Sequence, residues 1–125
     1  MARHYHIDIA VFAAESDRKW VDNLLSHFDV PGVEAAKQGV ARQLSQSGVY
    51  HVALTRRLWL DGGMSVEAAL AAARRLLSDP AGRLLLSPLI ELRLDREAFR
   101  SEIDARITEA VESIVPRRRG RPPNR

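Results

Sequence analysis

Between residues 18 and 28 the apolar positions Trp20, Val21, Leu24, Leu25 and Phe28 recur at helical spacing, with Arg18, Lys19, Asp22, Asn23 and Ser26 on the other side. Asp17 or Ser16 is placed to cap this helix. Before it, Ile7 to Ala14 is a short apolar stretch, with Asp8 placed to cap a helix starting at Ile9; Glu15-Ser16-Asp17 separates the two. Asp29-Val30-Pro31-Gly32 stops the second helix. Residues 30–44 lack a helical period. Val33 and Val40 to Leu44 suit two short strands joined near Lys37-Gln38-Gly39, although Glu34 to Lys37 also suits one helical turn. Ser45 or Ser47 then caps a third helix, Gly48 to Leu60, ended by Asp61-Gly62-Gly63. Ser65 caps a fourth, Val66 to Leu77.

Asp79-Pro80-Ala81-Gly82 is the clearest boundary in the chain. Beyond it Ile90, Leu92 and Leu94 alternate with Glu91, Arg93 and Asp95, the period of a strand. Asp95 caps a fifth helix from Arg96 to about Val115, where Pro116 is expected to end it. Phe99, Ile103, Ile107, Ala110 and Ile114 step by 4, 4, 3 and 4 along it, a single apolar stripe, and Glu102 and Arg106 form a favourable pair. A strand and one striped helix cannot bury themselves alone. Phe99, Ile103, Ile107 and Ile114 therefore either complete the monomer's core or form a dimer or partner interface, and the pattern leaves both open. The expected fold is mainly α, of the α+β class, with domain 1–78, a strand-plus-helix segment 79–115 and a disordered tail 116–125.

Two short helices around a tight turn, the second with a polar face, suit a helix-turn-helix, whose second helix lies in the major groove with its N-terminal residues at base edges. That end carries Asp17, Arg18 and Lys19, with Asn23 one turn on. Arg and Lys can read guanine, and Asn adenine. Tyr5-His6-Ile7-Asp8 through Asp17-Arg18-Lys19 resembles the opening of MerR-like winged helix-turn-helix proteins. Val30-Pro31 resembles the segment entering the wing, and Gly39 to Ser45 the wing's returning strand. Val49 to Leu58, with Arg56-Arg57-Leu58, and then Gly63-Met64-Ser65-Val66-Glu67 resemble the two helices that follow, so the likeness spans roughly residues 5–77. The turn departs from the family: Glu15 and Ser16 stand where it has Gly and an apolar residue. The resemblance implies a winged helix-turn-helix with a β-hairpin wing and DNA contacts from Lys37, Arg42, Arg56 and Arg57.

Charge sharpens this picture. The 125 residues carry a net +3, with 19 basic and 16 acidic side chains. Residues 116–125 hold five of the basic residues (Arg117, Arg118, Arg119, Arg121 and Arg125) and no acid, so a +5 tail follows a −2 body. Such asymmetry points to a polyanion. Arg119-Gly120-Arg121-Pro122 resembles the AT-hook, in which arginines run along a narrow A·T-rich minor groove. Arg117, Arg118, Arg119, Gly120, Arg121 and Pro122 are the candidate tail contacts; a solvated basic tail with phosphate affinity alone is the plainer reading.

With no cysteine, disulfides, Cys-based zinc sites and a cysteine nucleophile are excluded. No apolar run of about 18 residues exists to span a membrane. The charged, histidine-bearing N-terminus lacks a signal peptide's apolar stretch, and the expected location is the cytoplasm, at the nucleoid. His4, His6 and Asp8 would share a face only if extended, and surface histidines explain them better than a metal. No nucleophile motif or phosphate-binding glycine loop is visible, so no enzyme, cofactor or metal is expected. The expected function is sequence-specific regulation through double-stranded DNA, with a homodimer as a possible assembly. The rival is an antitoxin that binds a toxin through residues 83–115 and regulates its own operon.

Overall fold

Four of the helix starts are set by single side chains. Asp17 Oδ1 accepts from Trp20 N at 2.7 Å, Ser45 Oγ from Gly48 N at 3.2 Å, Ser65 Oγ from Ala68 N at 3.1 Å and Asp95 Oδ1 from Ala98 N at 3.0 Å. Each satisfies an amide that the first helical turn leaves without a partner. The computed structural model describes residues 3–34 and 42–119, the last six as backbone alone. It has mixed α and β structure: β1 (Tyr5–His6), α1 (Ile7–Ala13), α2 (Arg18–His27), β2 (Val33–Glu34), β3 (Gln43–Leu44), α3 (Gln46–Gly62), α4 (Val66–Ser78), β4 (Arg83–Ser87), β5 (Ile90–Arg93) and α5 (Arg96–Arg119).

The chain's start differs from expectation. Helix α1 begins at Ile7, and its cap is His6, whose Nδ1 accepts from Asp8 N at 3.1 Å, not Asp8. The cause is a long-range pairing invisible to local pattern. Tyr5 and His6 are extended because they pair antiparallel with Leu44 and Gln43. Val33 and Glu34 pair with the same two residues from the other side, giving the order β1-β3-β2. The two expected short strands are therefore present, with a third beside them; Lys37 and Gly39 to Ala41 lie outside the described residues. Gly32, at φ +83, lies against Gly48 of α3 so closely that a Cβ on either would overlap the other's backbone. That contact holds β2 on the start of α3.

Around this sheet α1, α2, α3 and α5 share one core, including Ile9, Val21, Leu24, Leu44, Val49, Val52, Ile103, Ile107 and Ala110. Burying a side chain such as Leu24 contributes about 1.5–3 kcal/mol. The α5 stripe thus settles against α1 inside its own chain. Ile103 and Ile107, candidates for an interface role, are core residues whose burial leaves no surface for a partner, and Phe99 is half-buried against the same core. For Ile114 the structure gives the helical backbone only.

A second apolar layer lies between α4, the middle of α3 and the β4–β5 hairpin, where Leu54, Ala73, Leu76, Leu77 and Leu84 pack with Leu92 and Leu94. The single strand expected near Ile90 is one half of an antiparallel pair. The preceding Leu84-Leu85-Leu86 run forms the other half, with Leu84 opposite Leu92. Tyr50 and Phe99 touch both layers and meet edge-on at 6.0 Å. Pro116 does not end α5, which continues to Arg119. A proline there removes one backbone hydrogen bond. The extended, disordered tail expected from residue 116 begins no earlier than residue 120, and Gly120, Arg121 and Pro122 lie outside the described residues. No helix among the described residues is long and apolar enough to cross a membrane.

Candidate nucleic-acid interface

Helix α2 buries Val21, Leu24 and Leu25 and turns Lys19, Asn23 and Ser26 outward, one stripe at i, i+4 and i+7. The stripe is joined from another part of the chain. Arg42, just before β3, donates from Nη2 to Ser26 Oγ at 3.2 Å. The exposed Lys19, Asn23 and Ser26 and the half-buried Arg42 therefore form one polar face, positive in charge, on a helix whose other side is fixed in the core. Among the described residues, Lys19 and Arg42 have no carboxylate within 4.0 Å. Ser26 was legible in the sequence as an outward residue, but its link to Arg42 depends on the sheet.

The turn into α2 has an unusual backbone. Glu15 sits at φ +53, among the described residues the only positive-φ position that is not glycine. That conformation costs a side-chain-bearing residue roughly 1 kcal/mol. The local geometry favours glycine while the chain supplies glutamate. The carboxylate is held in return: Glu15 Oε2 lies 3.2 Å from Arg106 Nη2, and Glu15 Oε1 3.8 Å from Arg57 Nη1.

Other sequence-proposed contacts are engaged elsewhere. Asp17 is the α2 cap, so its Oδ1 is bound to the helix and not turned to a base edge. Arg18 donates to Asp8 Oδ1 at 2.9 Å and lies 3.3 Å from Asp22 Oδ2, between two carboxylates. Arg57 faces three acids: Asp61 at 3.2 Å, Glu15 at 3.8 Å and Glu102 at 4.0 Å. Arg56 lies over the rings of Trp20 and Trp59, 5.0 and 5.1 Å from their centroids. Arg56 and Arg57 thus already have partners within the body. The expected Glu102–Arg106 pair is present at 2.8 Å. Arg117, Arg118 and Arg119 lie on the helical backbone of α5.

Beside the α2 face is an apolar cleft of about 290 Å³, with Trp20, Leu24, Phe28, Trp59 and Val66 in its wall and Asn23 and His27 at its polar edge. The two tryptophan rings sit 5.5 Å apart, tilted. Trp20 therefore anchors α2 onto α3, as its spacing suggests.

A second concavity, about 490 Å³, lies between the start of α3, α4 and α5, where Arg74 and Arg100 border His51 and Tyr50. His51 donates from Nδ1 to the Ser47 carbonyl, 2.8 Å away, and burial holds its pKa below the ordinary 6.5. Burial and the Asp104 carboxylate, which accepts from Tyr50 at 2.6 Å, push the Tyr50 phenol well above its ordinary range. Asp104 also accepts from Gln46 Nε2 at 2.8 Å, so it ties α5 to α3. These groups are structural fasteners at neutral pH, with His51 neutral and Tyr50 protonated. No family model, curated protein or solved structure matches this chain.

Proposed function

We propose that this chain is a DNA-binding regulator of the winged helix-turn-helix kind, resembling MerR-like proteins. Helix α2 enters the major groove with Lys19, Asn23 and Ser26 toward the DNA, and the β2–β3 hairpin lies alongside as the wing. Arg42 reaches phosphate from the wing's returning strand. The arginines at the end of α5 and the Arg-Gly-Arg-Pro segment beyond it add attraction for the backbone and for an A·T-rich minor groove. The observation that carries this reading is the Lys19–Asn23–Ser26–Arg42 face: three exposed polar groups joined by the half-buried Arg42, converging from two parts of the chain, on a helix anchored from behind. Binding, not catalysis, is the proposed role.

The test is a mobility-shift measurement at two salt concentrations, using the full chain and a version ending at residue 115 on A/T-rich and G/C-rich duplexes. The full chain is expected to shift DNA at low salt. Its salt slope should exceed that of the shortened chain by up to roughly 4 to 5 if every tail arginine meets a phosphate. No shift by either protein at low salt overturns the reading. Equal loss on both duplexes removes the minor-groove role and leaves nonspecific attraction.

A further inference from the structure

The β4–β5 hairpin leaves four large aliphatic side chains in solvent: Leu85 is 62% exposed, Leu86 50%, Leu89 93% and Ile90 56%. The sheet has two strands, and β4 lies along α4, so the far edge of β5 has no strand beside it among the described residues. A two-stranded sheet with such an edge is an open template for another strand. Its charges are also unbalanced. Arg83 and Arg93 sit directly opposite each other, a like-charge pairing that disfavours the sheet. Both lean on one carboxylate: Glu91 accepts from Arg83 at 2.8 and 3.0 Å and lies 3.6 Å from Arg93.

We propose that β5 pairs antiparallel with β5 of a second copy of this chain, about a two-fold axis at Leu92, to form one four-stranded sheet. An axis there sets Glu91 opposite Arg93 of the second copy and Arg93 opposite its Glu91. Each Arg93 then faces a second carboxylate across the axis besides the Glu91 of its own strand, which it shares with Arg83. On the other face Leu92 meets Leu92, and the exposed Ile90 comes level with Leu94 of the second copy, so the apolar row of the two hairpins becomes continuous. Other registers that keep the faces matched are worse. An axis at Glu91 sets carboxylate against carboxylate, and one at Arg93 sets guanidinium against guanidinium. A slip of one residue turns every side chain to the wrong face. A Glu and an Arg two positions apart on a free edge are self-complementary, and this complementarity selects a second copy over a foreign protein.

This inference concerns the hairpin and is independent of whether the chain binds DNA. Its test is sedimentation equilibrium of the full chain without nucleic acid, with circular dichroism to verify folding of each variant. The unaltered chain is expected to be dimeric in the micromolar range. Arg93→Glu and Glu91→Arg each set like charges across the axis and should weaken the dimer by at least about tenfold. Mixing these two variants restores both opposite-charge pairs, so a one-to-one heterodimer should form from two poorly self-associating proteins. The double exchange E91R/R93E should dimerise again. A full chain that stays monomeric at high micromolar concentration overturns the proposal and leaves the hairpin to a foreign partner. So does a dimer indifferent to both single changes, or a mixture that fails to associate.

Discussion

Two pairs of cations, a helix apart, have opposite fates in this fold. Arg56 and Arg57, adjacent on α3, are engaged, the first against two tryptophans and the second, at the surface, among three carboxylates. Lys19 stands in solvent and Arg42 is half-buried, neither with a carboxylate within 4.0 Å among the described residues, and Arg42 is steered onto the α2 face by Ser26. All four are plain basic residues in the sequence. Whether a cation is available to a ligand is decided by what folding brings within reach of it, and that depends on contacts as distant as Glu15 and Glu102.

The largest expected effect separates the two pairs by affinity. Lys19→Ala with Asn23→Ala should cost roughly 1–3 kcal/mol of binding to a preferred duplex, and Lys19→Ala alone should lower the salt slope by about 1. Fluorescence anisotropy at several salt concentrations measures both. Arg57→Ala should leave the slope unchanged, and a fall matching that of Lys19→Ala breaks the comparison.

Stability should invert the order. Arg56→Ala removes a cation stacked on two rings, and urea unfolding should register a loss of about 1–2 kcal/mol. Lys19→Ala should unfold as the unaltered chain does.

Glu15 sharpens the contrast further. Glu15→Ala loses the ion pairs yet keeps the left-handed backbone, whereas Glu15→Gly loses the pairs and relieves it. The glycine variant should therefore be the more stable of the two by about 1 kcal/mol. Equal stabilities would mean that the turn carries no strain.

His51 supplies a pH dependence with a defined sign. Its pKa is lowered in the folded state, so the unfolded chain binds more protons as pH falls below the ordinary 6.5. Its contribution is fully present above that pH and is lost as pH falls through the folded value. His51→Gln should flatten this part of the stability profile in denaturant titrations across mildly acidic pH.

The smallest effect belongs to Arg57→Ala, about 0–1 kcal/mol, because its ion pairs are exposed and screened. Added salt should shrink it further.

Much of the fold was legible where the determining signal is local. Asp17, Ser45, Ser65 and Asp95 each cap the helix that their position announces, and the spacing of Phe99, Ile103 and Ile107 identifies a buried face. What that face packs on was not legible, because α1 lies some 90 residues earlier, as in the bond from Arg106 to the Ala13 carbonyl. The two-residue strand Tyr5–His6 exists through its pairing with β3, so no window around it carries a period. The Leu84–Leu86 run hid a strand because consecutive leucines show no alternation, although only Leu84 is buried. At the candidate interface, the outward stripe of α2 followed from periodicity. The removal of Arg56 and Arg57 from it did not, since three acids and two rings converge on them from four segments of the chain.

The length of α5 has a consequence for how far apart two contacts on a duplex would be in the proposed complex. Ala110 is the last fully buried residue among its described side chains, and the helical backbone continues to Arg119, about 14 Å further at the α-helical rise per residue. The first three tail arginines are therefore carried on a rod whose direction is set where α5 lies on α1. A stiff spacer makes a second contact at a high effective concentration when the distance is right and not at all when it is wrong. The rod acts as a ruler: DNA sites would be ranked by the separation of their two contact points as well as by their bases.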